Sequence, residues 1–257
     1  MKGKPFIPRQ LPQSVDRDST RVKPELANLA ASFWHIENRG TEVKTYHVVP
    51  DGCVDLIGSA SSFNGIFISP TPSEPVRFDI EPGSVWFGMR LLPGIFHRLT
   101  GISVGELEGQ TLIAEDVERQ LFAGLNDKLS STDKHGDRQK AMADWLIKTA
   151  DVNADTKSET TPFDRAIDGI IKRGGDVRVD SEVEAGISSR QLRRLFYHRV
   201  GMSPKKFARV VRFQNAVGRI LAASGDSMTD AFFDQAHFIK EVKTLAGFTP
   251  GDIKKGI

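Results

Sequence analysis

Residues 188–204, SSRQLRRLFYHRVGMSP, lie over residues 234–250, DQAHFIKEVKTLAGFTP, when the sequence is slid against itself. The two stretches share physical roles position by position. Ser188 and Asp234 are good N-caps, and Gln191 completes a capping box with Ser188. Leu192, Leu195 and Phe196 in the first copy, and Phe238, Val242 and Leu245 in the second, form an apolar stripe at helical spacing. Gly201 and Gly247 supply the left-handed residue that ends a helix. Each is followed by an apolar residue, a Ser or Thr cap, and Pro204 or Pro250 at the start of the next helix. Each copy is thus a helix, a stop and a new helix.

Charge decides what the helices face. From Gly186 to Arg219 there are nine Lys or Arg and no acid. With Leu192, Leu195 and Phe196 inward, the residues Ser189, Arg190, Arg193, Arg194 and Tyr197 fall on the outer side. Arginine on the first turns of such a helix can bond bidentately to guanine in a major groove. Tyr197, and Lys205, Lys206, Arg209 and Arg212 on the next helix, are placed to meet phosphates. The second copy offers Gln235 and Lys240 as base readers, beside apolar Ala236 and Ile239. The connecting helix runs from Pro204 to about Ala223 and is amphipathic through Phe207, Val210, Val211, Val217, Ile220 and Leu221. About 20 residues at ~1.5 Å each span ~30 Å, close to one DNA turn of ~34 Å. One chain could then read two successive major grooves.

These motifs resemble the DNA-binding domain of the AraC family of bacterial transcription regulators over residues 163–257. ISSRQLRRLFYHRVGMSPKKFARVVRFQNAV is similar to the family's first recognition helix and linker helix, and FFDQAHFIKEVKTLAGFTP to its second recognition helix and closing signature. The resemblance implies two helix-turn-helix units in one chain, with Arg190, Arg193 and Arg194 on bases in the first and Gln235 and Lys240 in the second. It also implies RNA polymerase as a partner, besides double-stranded DNA. Two departures stand out. Ser181 and Glu182 replace the family's Leu-Ala pair ahead of Gly186, and the stretch 226–231 is barely one helical turn where the family has a full helix.

The rest of the chain has another texture. Residues 1–161 hold 18 Lys+Arg against 22 Asp+Glu, net −4; residues 162–257 hold 17 against 11, net +6. Between them DVNADTKSETTP is polar and reads as a linker, giving an expected division into a sensor or dimerisation domain at 1–150, a linker at 151–161 and a DNA-binding domain at 162–257. VKTYHVVPDGCVDLIG, NGIFISPTPSEPVRFDIEPG and SVWFGMRLLPG read as strands joined by turns, and helical spacing follows Pro93. The expected fold class is α+β: a small β-barrel or sandwich followed by helices, then an all-α double helix-turn-helix domain. VPDGCVDLIG, GMRLLPG and GISVGELEGQTLIAEDV resemble the sensor-side domain of one AraC-like branch, which implies a cupin-like β-fold. A small-molecule effector and a homodimer remain open as partners. Asp51-Gly52 reads as a hairpin turn. Asp55 and Arg90 interrupt apolar strands; each is an outward-facing residue, half of a buried ion pair, or an effector contact.

Other chemistry finds little support. GISVG at 101–105 fits the pattern around a nucleophilic Ser103, but a helix-like segment precedes it where a strand is needed. The six histidines have no neighbouring cysteine, leaving at most His47 and His97 to meet in space, so no metal is expected. Neither a phosphate-binding glycine loop nor another cofactor motif is seen. Cys53, the one cysteine, cannot form an internal disulfide, and its apolar and acidic flanks point to a packed thiol. MKGKPFIPRQLPQ has no signal-peptide core and no run could span a bilayer, so a cytoplasmic protein without membrane contact is expected. Two alternatives to a two-headed, non-enzymatic regulator stay open. One is a ligand-binding or enzymatic β-barrel with a basic helical tail, the other a one-headed regulator acting through dimerisation.

Overall fold

The computed structural model describes residues 6–13, 15–107, 109–152, 160–179, 183, 185–222 and 235–257. Its first part is built on an antiparallel sheet of six strands: β1 (Asp16–Arg21), β2 (Ala30–Glu37), β4 (Val54–Ser59), β5 (Phe67–Pro70), β7 (Val85–Leu91) and β8 (Leu112–Ile113), in the order β1-β2-β7-β4-β5-β8. A second sheet pairs β3 (Lys44–Val48) with β6 (Val76–Ile80). Strand alternation gives the large sheet two faces. Phe33, Leu56, Ile68, Phe87 and Met89 point one way and join a core with Phe96, Phe122 and Leu146. Those three come from α1 (Ile95–Thr100), α3 (Arg119–Ser130) and α4 (His135–Val152); α2 (Ala114–Val117) precedes α3. On the opposite face Trp34 and Ile36 pack with Tyr46 and Ile80 of the small sheet. The expected β-sandwich with following helices is present.

Strands β1, β2 and β8 lie outside the stretches whose sequence reads as strand. In β1, DRDSTR, the charged residues conceal an edge strand paired throughout with β2, where open backbone and charge are compatible. The Asp51-Gly52 expectation needs correction. Gly52 does turn the chain at φ +79°, but β3 pairs with β6 and β4 with β5 and β7. The turn passes between two sheets and is not a hairpin.

Among its described residues the regular structure of the second part is helical: α5 (Pro162–Lys172), α6 (Ser189–Val200), α7 (Pro204–Ala222), α8 (Gln235–Ala246) and α9 (Pro250–Lys255). Gly201 and Gly247 both stand at φ +78°, as the left-handed stops require. Helix α7 serves two cores. Phe207, Val210 and Val211 pack with Phe163, Leu192 and Phe196, while Phe213, Val217 and Ile220 pack with Val242, Leu245 and Ile253. The second of these cores also takes in Leu11 and Val49 from the amino-terminal part. The expected irregular positioning helix at Ser181 and Glu182, the Asp234 cap and the shortened stretch 226–231 lie outside the described residues.

Candidate nucleic-acid interface

Helix α6 begins where its sequence says it should. The Ser188 hydroxyl accepts from the Gln191 amide at 3.3 Å, and Gln191 Oε1 accepts from the Ser188 amide at 3.0 Å. Leu192, Phe196 and Val200 are buried, which turns Ser189, Arg190, Arg193 and Arg194 outward, all exposed. None of these three arginines makes an ion pair among the described residues. The next helix is capped by Ser203, whose hydroxyl accepts from the Lys206 amide at 3.2 Å. Lys205 there is exposed and Lys206 half-buried. Lys240 is exposed on α8. Gln235 opens that helix, and its side chain is outside the described residues.

Arg209 and Arg212 have partners that the sequence did not suggest. Glu241 of α8 receives Arg209 Nε at 3.3 Å and Arg212 Nη2 at 2.8 Å. The hydrogen bond that Arg212 donates to Glu241 raises the Arg212 pKa above its ordinary value. Burial opposes ionisation of Glu241, but its bonds to Arg212 and Arg209 outweigh that and hold its pKa below the ordinary carboxylate value. Two of the four cations expected to meet phosphates on α7 therefore also fasten α8 to α7.

The far end of α6 is held by the amino-terminal part. The Tyr197 hydroxyl donates to the Gly105 carbonyl at 2.9 Å, and Ser103 Oγ shares a 2.8 Å hydrogen bond with His198 Nδ1. The GISVG stretch runs from α1 into a 3-10 turn at Val104–Leu107. Ser103 thus has a histidine but not the strand-to-helix setting of a nucleophile, and no carboxylate pairs with His198 among the described residues. A second tie is Gln214, buried on α7. Its Oε1 accepts from the Arg9 amide at 2.7 Å, and its Nε2 donates to the Pro50 carbonyl at 2.8 Å. A polar residue at the inward position between Val211 and Val217 was the visible signal of this contact. His47 stacks edge-on against Phe248, while His97 Nδ1 bonds the Ile102 carbonyl at 2.8 Å.

Asp55 and Arg90 form a buried ion pair. Arg90 Nε and Nη2 meet the two Asp55 oxygens at 2.9 and 2.6 Å, and Arg90 Nη1 reaches Asp51 at 3.1 Å. Burial alone would lower the Arg90 pKa, but the Asp51 and Asp55 carboxylates hold it well above the ordinary value. Asp51 also accepts from the Cys53 amide at 3.0 Å and from Gln10 Nε2 at 3.0 Å. Burial, with Asp51 beside it, pushes the Cys53 thiol well up, as expected of a packed cysteine.

Residues 183–256 match the family profile of a helix-turn-helix domain, and residues 20–112 match that of a domain of unknown function, DUF6597. No curated protein matches the chain. Among solved structures it is similar to an apo ToxT variant from Vibrio cholerae strain SCE256, at 13% identity over 84% of this chain and 97% of that one, with a TM-score of 0.38. No helix among the described residues is long and apolar enough to cross a membrane.

Proposed function

We propose that the chain is a DNA-binding transcription regulator of AraC type, a reading supported by the helix-turn-helix profile matched over residues 183–256, and that it reads two successive major grooves. In this reading Ser189, Arg190, Arg193 and Arg194 meet bases from α6, and Gln235 and Lys240 meet bases from α8. Lys205, Lys206, Arg209 and Arg212 lie toward phosphates; Tyr197 joins them once its bond to Gly105 is released. Residues 1–150 act as the sensor, joined by 151–161 to the reading domain at 162–257. No reaction on a substrate is needed.

The observation that carries the reading is the exposed arginine face of α6, free of ion pairs among the described residues and set on a helix whose opposite side is locked in a core. The 19 residues of α7 give a strut of about 28 Å at ~1.5 Å per residue, consistent with readers close to one turn apart. The test is selection of random duplex DNA by the full chain at near-physiological salt. Two enriched blocks with centres about 10 base pairs apart are expected. One block alone would leave α6 as the sole reader, and no enrichment would overturn the proposal.

A further inference from the structure

Between the two sheets lies a cavity of about 370 Å³. Its walls are mainly apolar, including Trp34, Tyr46, Ile57, Phe67 and Trp86. Apart from Tyr46, which belongs to the small sheet, they come from the face of the large sheet that is turned away from the helices, so strand alternation selects that part of the lining. Gly88 lets the Trp34 ring pack directly against the sheet: a Cβ there would fall 2.4 Å from the ring. Val76 and Phe78 of β6 also line the cavity, yet are 36% and 45% exposed. They form an apolar mouth.

The polar lining is unevenly satisfied. Arg90 is fully engaged by Asp55 and Asp51. Arg17 is not: its Nε is enclosed and has no hydrogen-bond acceptor among the described residues. Trp34, only 6% exposed, has an indole Nε1 in the same condition. The two lie on adjacent strands of one face, because Arg17 is opposite Ile36 and Ser19 opposite Trp34 in the β1–β2 register. Enclosed donors without acceptors are costly, and an ionised acceptor compensates them best. Arg90 is offset by Asp55 and Asp51, so Arg17 is the guanidinium facing the cavity that makes no ion pair among the described residues. Asp79 stands at the exposed rim, accepting from Thr45 Oγ1 at 3.1 Å, and Asp51 does not line the space.

We infer that this cavity is the effector site and that it takes a monocarboxylic acid with a compact apolar body. The carboxylate is received by Arg17 and Trp34 Nε1, and the body lies among Ile57, Phe67 and Trp86. Volume and lining suit a small molecule. The inference rests on the proposed sensing role of the first part, but not on how the helices read DNA.

The test is calorimetric titration of the full chain, without DNA, with benzoate, phenylacetate and octanoate, each beside its primary amide. At least one acid is expected to bind saturably and roughly tenfold or more tightly than its amide, since only the acid offers a charge-assisted acceptor. Arg17→Met should abolish that preference, Arg17→Lys should keep part of it, and Trp34→Phe should weaken acid binding. Melting of each unliganded variant checks that the fold is intact. Should Arg17→Met fail to fold, Arg17→Lys and Trp34→Phe decide. Absence of binding by all three acids, equal binding of acids and amides, or acid preference unchanged in well-folded variants would overturn the inference. With no DNA present, a failure here is distinct from a failure of the DNA selection.

Discussion

The Tyr197 hydroxyl donates to the carbonyl of Gly105 at 2.9 Å, tying the helix that presents Arg190, Arg193 and Arg194 to the sheet-bearing part of the chain. Tyr197→Phe removes that bond and leaves a buried carbonyl unmet. A loss of about 1–2 kcal/mol in denaturant unfolding is expected, with faster amide exchange over residues 101–107. Unchanged stability with a lower salt slope in DNA binding would assign the phenol to a phosphate instead.

Arginine on the outer face of α6 and lysine at the start of α7 should fail differently. Arg194→Ala is expected to cost about 1–3 kcal/mol against the preferred base and to relax specificity at one position. Lys205→Ala should weaken all sequences alike and reduce the salt slope by about 1. Binding curves on matched and mismatched duplexes at several salt concentrations separate the two. Equal losses on every sequence from both changes would remove the base-reading role of Arg194.

Arg90→Met strands two carboxylates, the buried Asp51 and the half-buried Asp55. The expected cost is about 3–5 kcal/mol, because a lone buried charge is worse than a paired one. Adding Asp51→Asn and Asp55→Asn should recover part of it, measured by denaturant unfolding. A loss below about 1 kcal/mol in the single variant would show that the cluster has little energetic weight.

The Glu241 link between α8 and α7 should make stability depend on pH. Its folded pKa is depressed, so its contribution is fully present above the unfolded glutamate value, near ~4.3. It is lost as pH falls through the lower folded value. Partial exposure keeps the effect to about 1 kcal/mol or less. Unfolding curves of Glu241→Gln should lack this component of the acid loss; identical pH profiles in the two proteins would exclude it.

What was legible in the sequence was local. The Ser188 and Thr249 caps, the Gly201 and Gly247 stops and the apolar stripe of α6 each span a few residues, and all stand in the structure. The strands from Lys44 to Leu91 were visible through alternation, whereas β1 was masked by its charges. The alternatives left open for Asp55 and Arg90 could not be resolved, since pairing depends on β4 lying beside β7. Arg17, Trp34 and Glu241 went unremarked for a related reason. Each acquires its meaning from a neighbour brought by the fold from a distant part of the chain.

The core that joins Leu11 and Val49 to Phe213, Val242 and Ile253 has a consequence for the order of events during synthesis. Arg9 and Gln214, which meet beside it, are 205 positions apart, and the Ile257 amide donates to the Pro12 carbonyl. Such a loop can close only after nearly all of it has left the ribosome, and closure entropy makes so non-local a step slow. The strands can pair early, but the core around Leu11 is completed only when α7, α8 and α9 have all emerged. Helix α8 is therefore among the last elements to acquire its packing, and a nascent chain stalled before it displays an apolar arm for chaperones to hold.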